Sequence, residues 1–145
     1  MKKRSDRIRK IVALAALEER RESIAVGHSQ QELDSAVERL DELNRYRSEY
    51  TARTPAGAGS ALRWSDYQSF LARLDQAVTA QREVILDGER NVAAHRRRWM
   101  VKRRRLNSLE RVLERYRGEE RVAAERLAQK RLDEFKRRDD FFGDD

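Results

Sequence analysis

A seven-residue repeat of apolar side chains runs through the second half of the chain. Stepping alternately by four and three residues from Tyr67 to Tyr116 meets fifteen positions, and eleven of them are apolar or aromatic. A straight helix has ~3.6 residues per turn, so a 3.5-residue repeat keeps one stripe against a partner helix only if the pair supercoils. The same stepping works from Ile8 to Tyr50 in the first half. The pattern therefore predicts an all-α fold, with two long helices packed along one narrow seam.

A single breaker segment separates the two repeats. Pro55 is the only proline, and Gly57 and Gly59 follow it closely. Proline cannot continue a helix interior and restricts the residue before it, so the chain must turn here. The predicted organisation is one antiparallel coiled-coil hairpin over residues 1–145, because short loops join antiparallel neighbours. Its predicted parts are a helix over about 4–53, a turn over about 54–61, a helix over about 62–138 and a short acidic tail.

Folding the chain at this loop gives a predicted register. It places Leu71 opposite Leu43 and Lys102 opposite Val12. The first helix then ends beside roughly residue 110 of the second. We therefore expect an overhanging C-terminal helix that begins near residue 112.

The seam is weakest at its centre. One heptad column of the second helix is apolar throughout, whereas the other contains Gln81, Gly88, His95 and Lys102. The facing stretch of the first helix, residues 27–30, is also poor in apolar side chains. Glycine inside a helix costs ~1 kcal/mol relative to alanine. Two interpretations stay open: loose packing that other contacts tolerate, or a soft point that lets the helices bend or twist.

Composition and charge narrow the class of protein. Charged residues make up 41% of the chain, compared with ~25% in an ordinary globular domain, which suits long helices with most faces in water. The net charge of +7 favours acidic partners such as nucleic acid, anionic lipid or an acidic protein surface. The apolar run from Ile11 to Leu17 is too short for a signal peptide or a membrane span, so we expect a cytoplasmic protein.

The residues needed for catalysis or metal binding are missing from the pattern. The chain has no cysteine, and its two histidines, His28 and His95, have no acidic cluster at ligand spacing. No phosphate-binding glycine loop is present. We therefore expect no enzyme activity, no cofactor, no metal and no small-molecule substrate.

Two apolar surfaces and one basic block are candidate binding sites. Tyr46 and Phe70 flank the seam near the turn, where exposed aromatic side chains are typical of binding hot spots; packing of the hairpin end is the alternative. Near the free ends, Ile11, Leu14 and Leu17 form a second stripe that a two-helix seam does not need, and it could dock a third helix or an external partner. The basic block, residues 96–105, could meet phosphates, but the repeat assigns Trp99 to the seam and its neighbours to solvated flanks. Attraction of the basic block to an acidic protein lies between these two alternatives, nucleic-acid binding and a merely solvated surface.

The segment from Ala61 to Leu74, ALRWSDYQSFLARL, contains Tyr-Gln-x-Phe after a glycine-containing turn. This motif resembles that of the flagellar export protein FliJ family. Three further features match the family's pattern: Tyr46 and Tyr50 four residues apart, Trp99 in a basic helical stretch, and the late Asp-Glu-Phe at 133–135. The resemblance covers essentially the whole chain.

The resemblance implies a hairpin similar to the central stalk of rotary ATPases, acting in the flagellar type III export apparatus. It implies that the end with both termini enters the hexameric export ATPase and that the turn contacts the membrane export gate. Export chaperones are a further implied partner. The implied location is the cytoplasmic face of the inner membrane at the flagellar base. The implied gate-binding residues are Leu43, Tyr46, Tyr50, Phe70 and Leu74. The expected ATPase-binding residues are Ile11, Leu14, Leu17, Arg97 and Arg104.

Two alternatives stay open. One is the stalk of a virulence-type type III secretion system, against which the turn motif favours the flagellar version. The other, from a different class, is a basic coiled-coil arm that binds nucleic acid. No specific nucleic-acid partner is expected, because the heptad repeat accounts for Trp99 without one.

Overall fold

Two long helices make up the described part of the molecule. The computed structural model describes residues 3–53 and 60–143. Helix α1 runs from Arg4 to Thr51 and helix α2 from Ser60 to Phe142, and the two pack against each other. No strand occurs within the described ranges, so the all-α prediction is confirmed. Residues 54–59 of the predicted turn and the last two residues of the acidic tail lie outside the described residues.

Local chemistry accounts for the ends of α1. Asp6 lies in its first turn, where a negative charge interacts favourably with the helix dipole. At the other end, the Thr51 hydroxyl donates to the carbonyl oxygens of Arg47 and Ser48, both at 3.0 Å. The Arg53 amide then donates to the carbonyl of Tyr50 at 3.2 Å, which tightens the last turn. The helix therefore ends just before the segment that contains the only proline.

The heptad repeat identifies the packed faces. All fifteen repeat positions of α2, from Tyr67 to Tyr116, are buried or half-buried. On α1 every repeat position from Ile8 to Tyr50 is likewise covered except Arg47. The buried hydrophobic residues are Ala15, Val78, Val92, Leu106 and Leu113. The seam prediction is confirmed, and the core is a narrow line along it.

The chain divides into two compact units, which are described separately. The first unit comprises Met1–Glu19 and Val101–Asp145, and the second comprises Arg20–Met100. Each unit contains a segment of α1 and a segment of α2, and within each unit the two segments run antiparallel. The organisation of the chain as a single domain stays a prediction.

The predicted register is wrong in both units. In the second unit, a Cβ on Gly88 would lie 3.2 Å from Leu33 Cδ1, whereas the predicted pairing of Leu71 with Leu43 would set Gly88 against a residue seven positions earlier. In the first unit, Lys102 forms an ion pair with Glu18 at 3.2 Å, six residues beyond the expected Val12. Near the chain end, the Ser5 hydroxyl donates to Glu120 at 2.6 Å, so α1 covers α2 well past the expected limit near residue 110. The physical reason is that a heptad seam looks the same after each shift of seven residues. It fixes which faces pack and leaves the offset to the loop and to individual polar contacts.

The last part of α2 has no covering helix among the described residues. Every residue from 121 to 143 is exposed. We call residues 121–143 the C-terminal extension. The prediction of an overhanging C-terminal helix is confirmed, although the uncovered segment starts later than expected. Neither described helix contains an apolar stretch long enough to cross a bilayer.

Candidate binding surfaces

An aromatic cluster lies in the second unit, near the end of α1 and the start of α2. The cluster consists of Tyr50, Trp64, Tyr67 and Phe70. Tyr50 and Tyr67 stack with ring centroids 5.0 Å apart, and Trp64 also stacks with Tyr67 at 5.5 Å. Phe70 tilts against Tyr50 at 4.4 Å. Such pairs contribute ~0.5–1.5 kcal/mol beyond burial of their area, so the cluster holds the two helices together at this end.

The cluster is nevertheless partly exposed to solvent, and so is Tyr46 beside it in the sequence. Tyr46, one turn before Tyr50, is 64% exposed, and Phe70 is 39% exposed. These values agree with the expectation that both residues flank the seam. Leu43, Tyr50 and Leu74 are half-buried within the seam. Of the five expected gate-binding residues, Tyr46 and Phe70 are therefore the ones with substantial free surface.

Sequence reasoning left Trp64 out of the proposed site. It is 43% exposed while one of its faces stacks on Tyr67. The signal was present, because Trp64 and Tyr67 are three residues apart and a helix places such residues on one face. An indole that is held by stacking and yet remains exposed is well suited to bind a partner.

Polar residues at the centre of the second unit's seam are partly satisfied. The Gln81 amide donates to the Ala36 carbonyl at 2.9 Å, which links the two helices. Ser29 is buried and donates to Val26 within its own helix at 2.9 Å. The His95 Nδ1 is buried without a hydrogen-bond partner among the described residues. The hydrogen bond of Gln81 therefore helps to fix the register of the two helices, whereas His95 is the seam residue whose polar atom lacks a partner among the described residues.

The N-terminal stripe, Ile11, Leu14 and Leu17, lies in the first unit and is open to solvent. Ile11 is 42% exposed, Leu14 58% and Leu17 57%. Three large aliphatic side chains on consecutive turns exceed the scattered exposure of single apolar residues that a protein surface normally shows. The structure therefore leaves this stripe available to a partner, as the sequence suggested.

The arginines of the basic block divide into paired and free side chains. Arg103 and Arg105 lie 3.8 and 3.9 Å from Glu19 and Glu18 respectively, in the first unit. In the second unit, Arg96 donates to Gln30 at 3.3 Å. Neither of the expected ATPase-binding arginines, Arg97 in the second unit and Arg104 in the first, forms an ion pair with the described residues, and both are exposed. Their charges are therefore free to act on a partner. Trp99 is half-buried, in keeping with its place on the seam.

A polar contact ties the start of α1 to α2 in the first unit. The Ser5 amide and hydroxyl donate to the two carboxylate oxygens of Glu120, at 3.2 and 2.6 Å. The hydrogen bond from the Ser5 side chain lowers the pKa of Glu120, and nearby Lys3 acts in the same direction. Glu120 thus satisfies an amide of the first turn of α1, which has no partner within the helix. Sequence reasoning missed this contact, because it depends on the true register.

No cluster of metal-binding side chains is formed within residues 3–53 and 60–143. The candidate surfaces are an aromatic cluster, an aliphatic stripe and free arginines. These groups suit contacts with other macromolecules.

Comparison with known proteins bears on which macromolecules these are. The sequence model of the family described as "Flagellar FliJ protein" matches residues 4–139. The chain belongs to this family. Membership supports a component of the flagellar export apparatus. The family covers nearly all of both helices, including the N-terminal stripe and most of the C-terminal extension.

Two relatives of this FliJ family member are flagellar FliJ proteins from other bacteria. The chain is 32% identical to the flagellar FliJ protein of Escherichia coli (strain K12) over 99 residues, which are 68% of this chain and 67% of that protein. It is 27% identical to the flagellar FliJ protein of Salmonella typhi over 116 residues, which are 78% of this chain and 79% of that one. The resemblance found in the Tyr-Gln-x-Phe segment is thereby confirmed.

Proposed function

We propose that this chain is a non-enzymatic stalk component of the flagellar type III export apparatus. In this proposal it binds the hexameric export ATPase near its free ends and the membrane export gate near its turn. It also assists delivery of export chaperones and their cargo, at the cytoplasmic face of the inner membrane. Family membership supports the apparatus, and the exposed surfaces at the two ends of the helices support the particular contacts.

The open aromatic cluster is the single observation that carries the gate contact. Tyr46, Trp64 and Phe70 combine large apolar area with substantial exposure, and tyrosine and tryptophan dominate binding hot spots. Leu43, Tyr50 and Leu74 are half-buried within the seam, and Tyr50 contacts Phe70 directly. The gate segment that fits this surface is apolar and able to insert beside the rings.

Replacing Tyr46 and Phe70 together with alanine tests the gate contact. The double variant should keep its helicity and weaken binding to the purified cytoplasmic part of the gate by at least tenfold. Val84 and Leu86 provide a matched control, because they are exposed in the same unit and lie away from the cluster. Equal binding by both double variants, or unfolding of the first, would remove this assignment.

The N-terminal stripe supports the ATPase contact. Full burial of a large aliphatic side chain contributes ~1.5–3 kcal/mol, so Ile11, Leu14 and Leu17 together supply enough apolar surface for a specific complex. The positive charges of Arg97 and Arg104 would mainly speed the encounter with an acidic ring, and salt would screen this attraction.

Binding kinetics separate these two contributions. Charge reversal at Arg97 and Arg104 should slow association with the export ATPase and flatten its dependence on salt. Serine at Leu14 and Leu17 should instead speed dissociation and leave association nearly unchanged. If neither pair of changes affects ATPase binding or stimulation, the docking surface lies elsewhere.

The main competing function is nucleic-acid binding by the basic block. Phosphate binding predicts a steep fall of affinity for random DNA with rising salt. Lys102, Arg103 and Arg105 form ion pairs with acidic side chains of α1. These pairs neutralise part of the positive charge that phosphate binding would need. A salt titration with random DNA beside one with the ATPase ring distinguishes the two functions.

A further inference from the structure

The C-terminal extension carries an apolar face that no described part of the chain covers. Ala128, Leu132, Phe135 and Phe142 follow one another at steps of four, three and seven residues, which places them along one side of a helix. Leu132 is 53% exposed and Phe135 67%. An apolar stripe of this kind on a surface helix normally packs against another part of the protein or a partner.

The outer face of α1 in the same unit shows the same spacing. Arg7, Lys10, Leu14 and Leu17 follow one another at steps of three, four and three. All four are exposed, and they lie on the side of α1 away from the seam residues Ile8, Val12 and Ala15. The first unit thus presents two unpartnered faces that share one heptad pattern.

We propose that these faces bind each other between two copies of the chain. The extension of one copy lies parallel to α1 of the other, with Leu14 opposite Leu132 and Leu17 opposite Phe135. In the same register the positively charged Arg7 meets the negatively charged Glu125. Neither of these two charged side chains has an ion pair among the described residues, so each is free to bond across the dimer.

The flanking positions agree with this register. In parallel helices the residue that follows the second core position of a heptad approaches the partner residue that precedes the first core position of the matching heptad. Ile11 then packs beside the small Ala124, and Glu18, which also pairs with Lys102 of its own copy, approaches Arg131. These two pairs lie along one flank of the interface. Along the other flank Asp6 approaches Gln129 and Ala13 approaches Lys136, so these flanks contain no pair of like charges.

The register also closes into a symmetric pair. Leu14 lies nine residues, or ~14 Å, inward of Ser5 along α1. Leu132 lies twelve residues, or ~18 Å, outward of Glu120, the residue that Ser5 contacts. A two-fold axis midway between these levels passes within ~2 Å of the Ser5–Glu120 contact. Both extensions are therefore used at once, and the interface is self-complementary, as in most homodimers.

An antiparallel register is the rival arrangement. It pairs Leu14 with Phe135 and Leu17 with Leu132, and it satisfies Lys10 with Asp139. It places Arg7 beside Phe142, which leaves the guanidinium facing an aromatic ring with no carboxylate. It also relates the copies head to tail, so each new copy exposes the same faces and the assembly does not close. Each register pairs one of the two cations with a carboxylate, because the parallel one sets Lys10 against Ala128. The parallel pairing is favoured because it ends at two copies.

This inference goes beyond the proposed function. The dimer covers the N-terminal stripe, which is the surface proposed for the ATPase, so one copy cannot bind both partners through it. The dimer is measured with the purified chain alone. Its failure leaves ATPase binding intact, and a failure of ATPase binding leaves the dimer intact.

Engineered cysteines test the register directly, since the chain has no cysteine of its own. The double variant L14C/L132C should form a covalent dimer on mild oxidation, with the cysteines facing each other across each half of the interface. The matched variant L14C/F135C should remain largely uncrosslinked. A ladder of higher multimers from L14C/F135C would establish the antiparallel register and overturn the proposal, as would absence of cross-linking in both.

Charge exchange provides an independent test by sedimentation equilibrium of the full chain. The unaltered chain should be a dimer at micromolar concentration, and Leu132→Glu should be monomeric with unchanged helicity. Arg7→Glu and Glu125→Arg should each weaken the dimer at least fivefold, and the double exchange should restore it. A monomeric unaltered chain at tens of micromolar, or single exchanges without effect, would exclude the pairing.

Discussion

Two helical glycines in the second unit should respond differently to the same substitution. A Cβ added at Gly27 meets no atom within 4 Å. Gly27→Ala therefore changes only the backbone, and alanine is favoured over glycine in a helix interior by ~0.8–1.0 kcal/mol. We expect the free energy of unfolding to rise by about that amount and the melting temperature by roughly 2–5 °C.

At Gly88 the same gain meets an opposing cost. Its added Cβ would lie 3.2 Å from Leu33 Cδ1 and 3.7 Å from Leu33 Cβ. The leucine tip must move by a few tenths of an ångström, and a side chain pushed off its preferred rotamer costs ~0.5–1.5 kcal/mol. The two contributions nearly cancel, so Gly88→Ala should leave the free energy of unfolding about unchanged.

Urea unfolding followed by far-ultraviolet circular dichroism measures both variants and their combination. The two variants should therefore differ by ~1 kcal/mol in the free energy of unfolding, although the chemical change is the same, because this is the full helix preference for alanine over glycine. A Gly27→Ala variant no more stable than the parent, or a Gly88→Ala variant that gains as much as Gly27→Ala, would refute it. Swimming tests of the stabilised double variant also distinguish the two interpretations of the weak seam. Reduced motility indicates that the softness is needed, and normal motility indicates tolerated loose packing.

Three further changes probe the seam and the start of α1. Leu106→Ala should lower the free energy of unfolding by ~2–5 kcal/mol, because it empties a buried position, whereas Leu127→Ala at an exposed position should change it by less than ~0.5 kcal/mol; equal effects in urea unfolding would contradict the seam. Ser5→Ala should destabilise the chain at neutral pH but have little effect in acid. The lowered pKa of Glu120 contributes stability above the ordinary glutamate range, and this is lost as the pH falls through the folded-state value; a pH-independent difference would exclude this cause. Gln81→Leu should raise the free energy of unfolding by ~1 kcal/mol, because it restores the apolar repeat. It should also make the register less specific, because the interhelical hydrogen bond of Gln81 is lost. A variant that is less stable in urea unfolding would show that this hydrogen bond outweighs the apolar gain.

The repeat predicted the packed faces correctly because burial follows directly from spacing. Every α2 repeat position is covered, including the polar Lys102, whose charge is matched by Glu18. Exposure of Tyr46 and Phe70 followed from the same geometry. The register could not be predicted from the repeat, because a heptad seam presents equivalent residues after each shift of seven positions. The Ser5–Glu120 contact was missed for that reason, since nothing in the spacing identifies which glutamate meets the start of α1.

The narrowness of the buried line has a consequence for how the chain opens. Val78 and Val92 in one unit and Leu106 and Leu113 in the other are the deepest aliphatic residues of α2, and each is bounded by exposed turns. Amide hydrogens should then exchange with solvent by brief local openings, with no single cooperative event protecting the whole length. Protection should peak at these four positions and fall away between them. A destabilising substitution at one position of such a protein should therefore increase amide exchange mainly in the neighbouring helical turns.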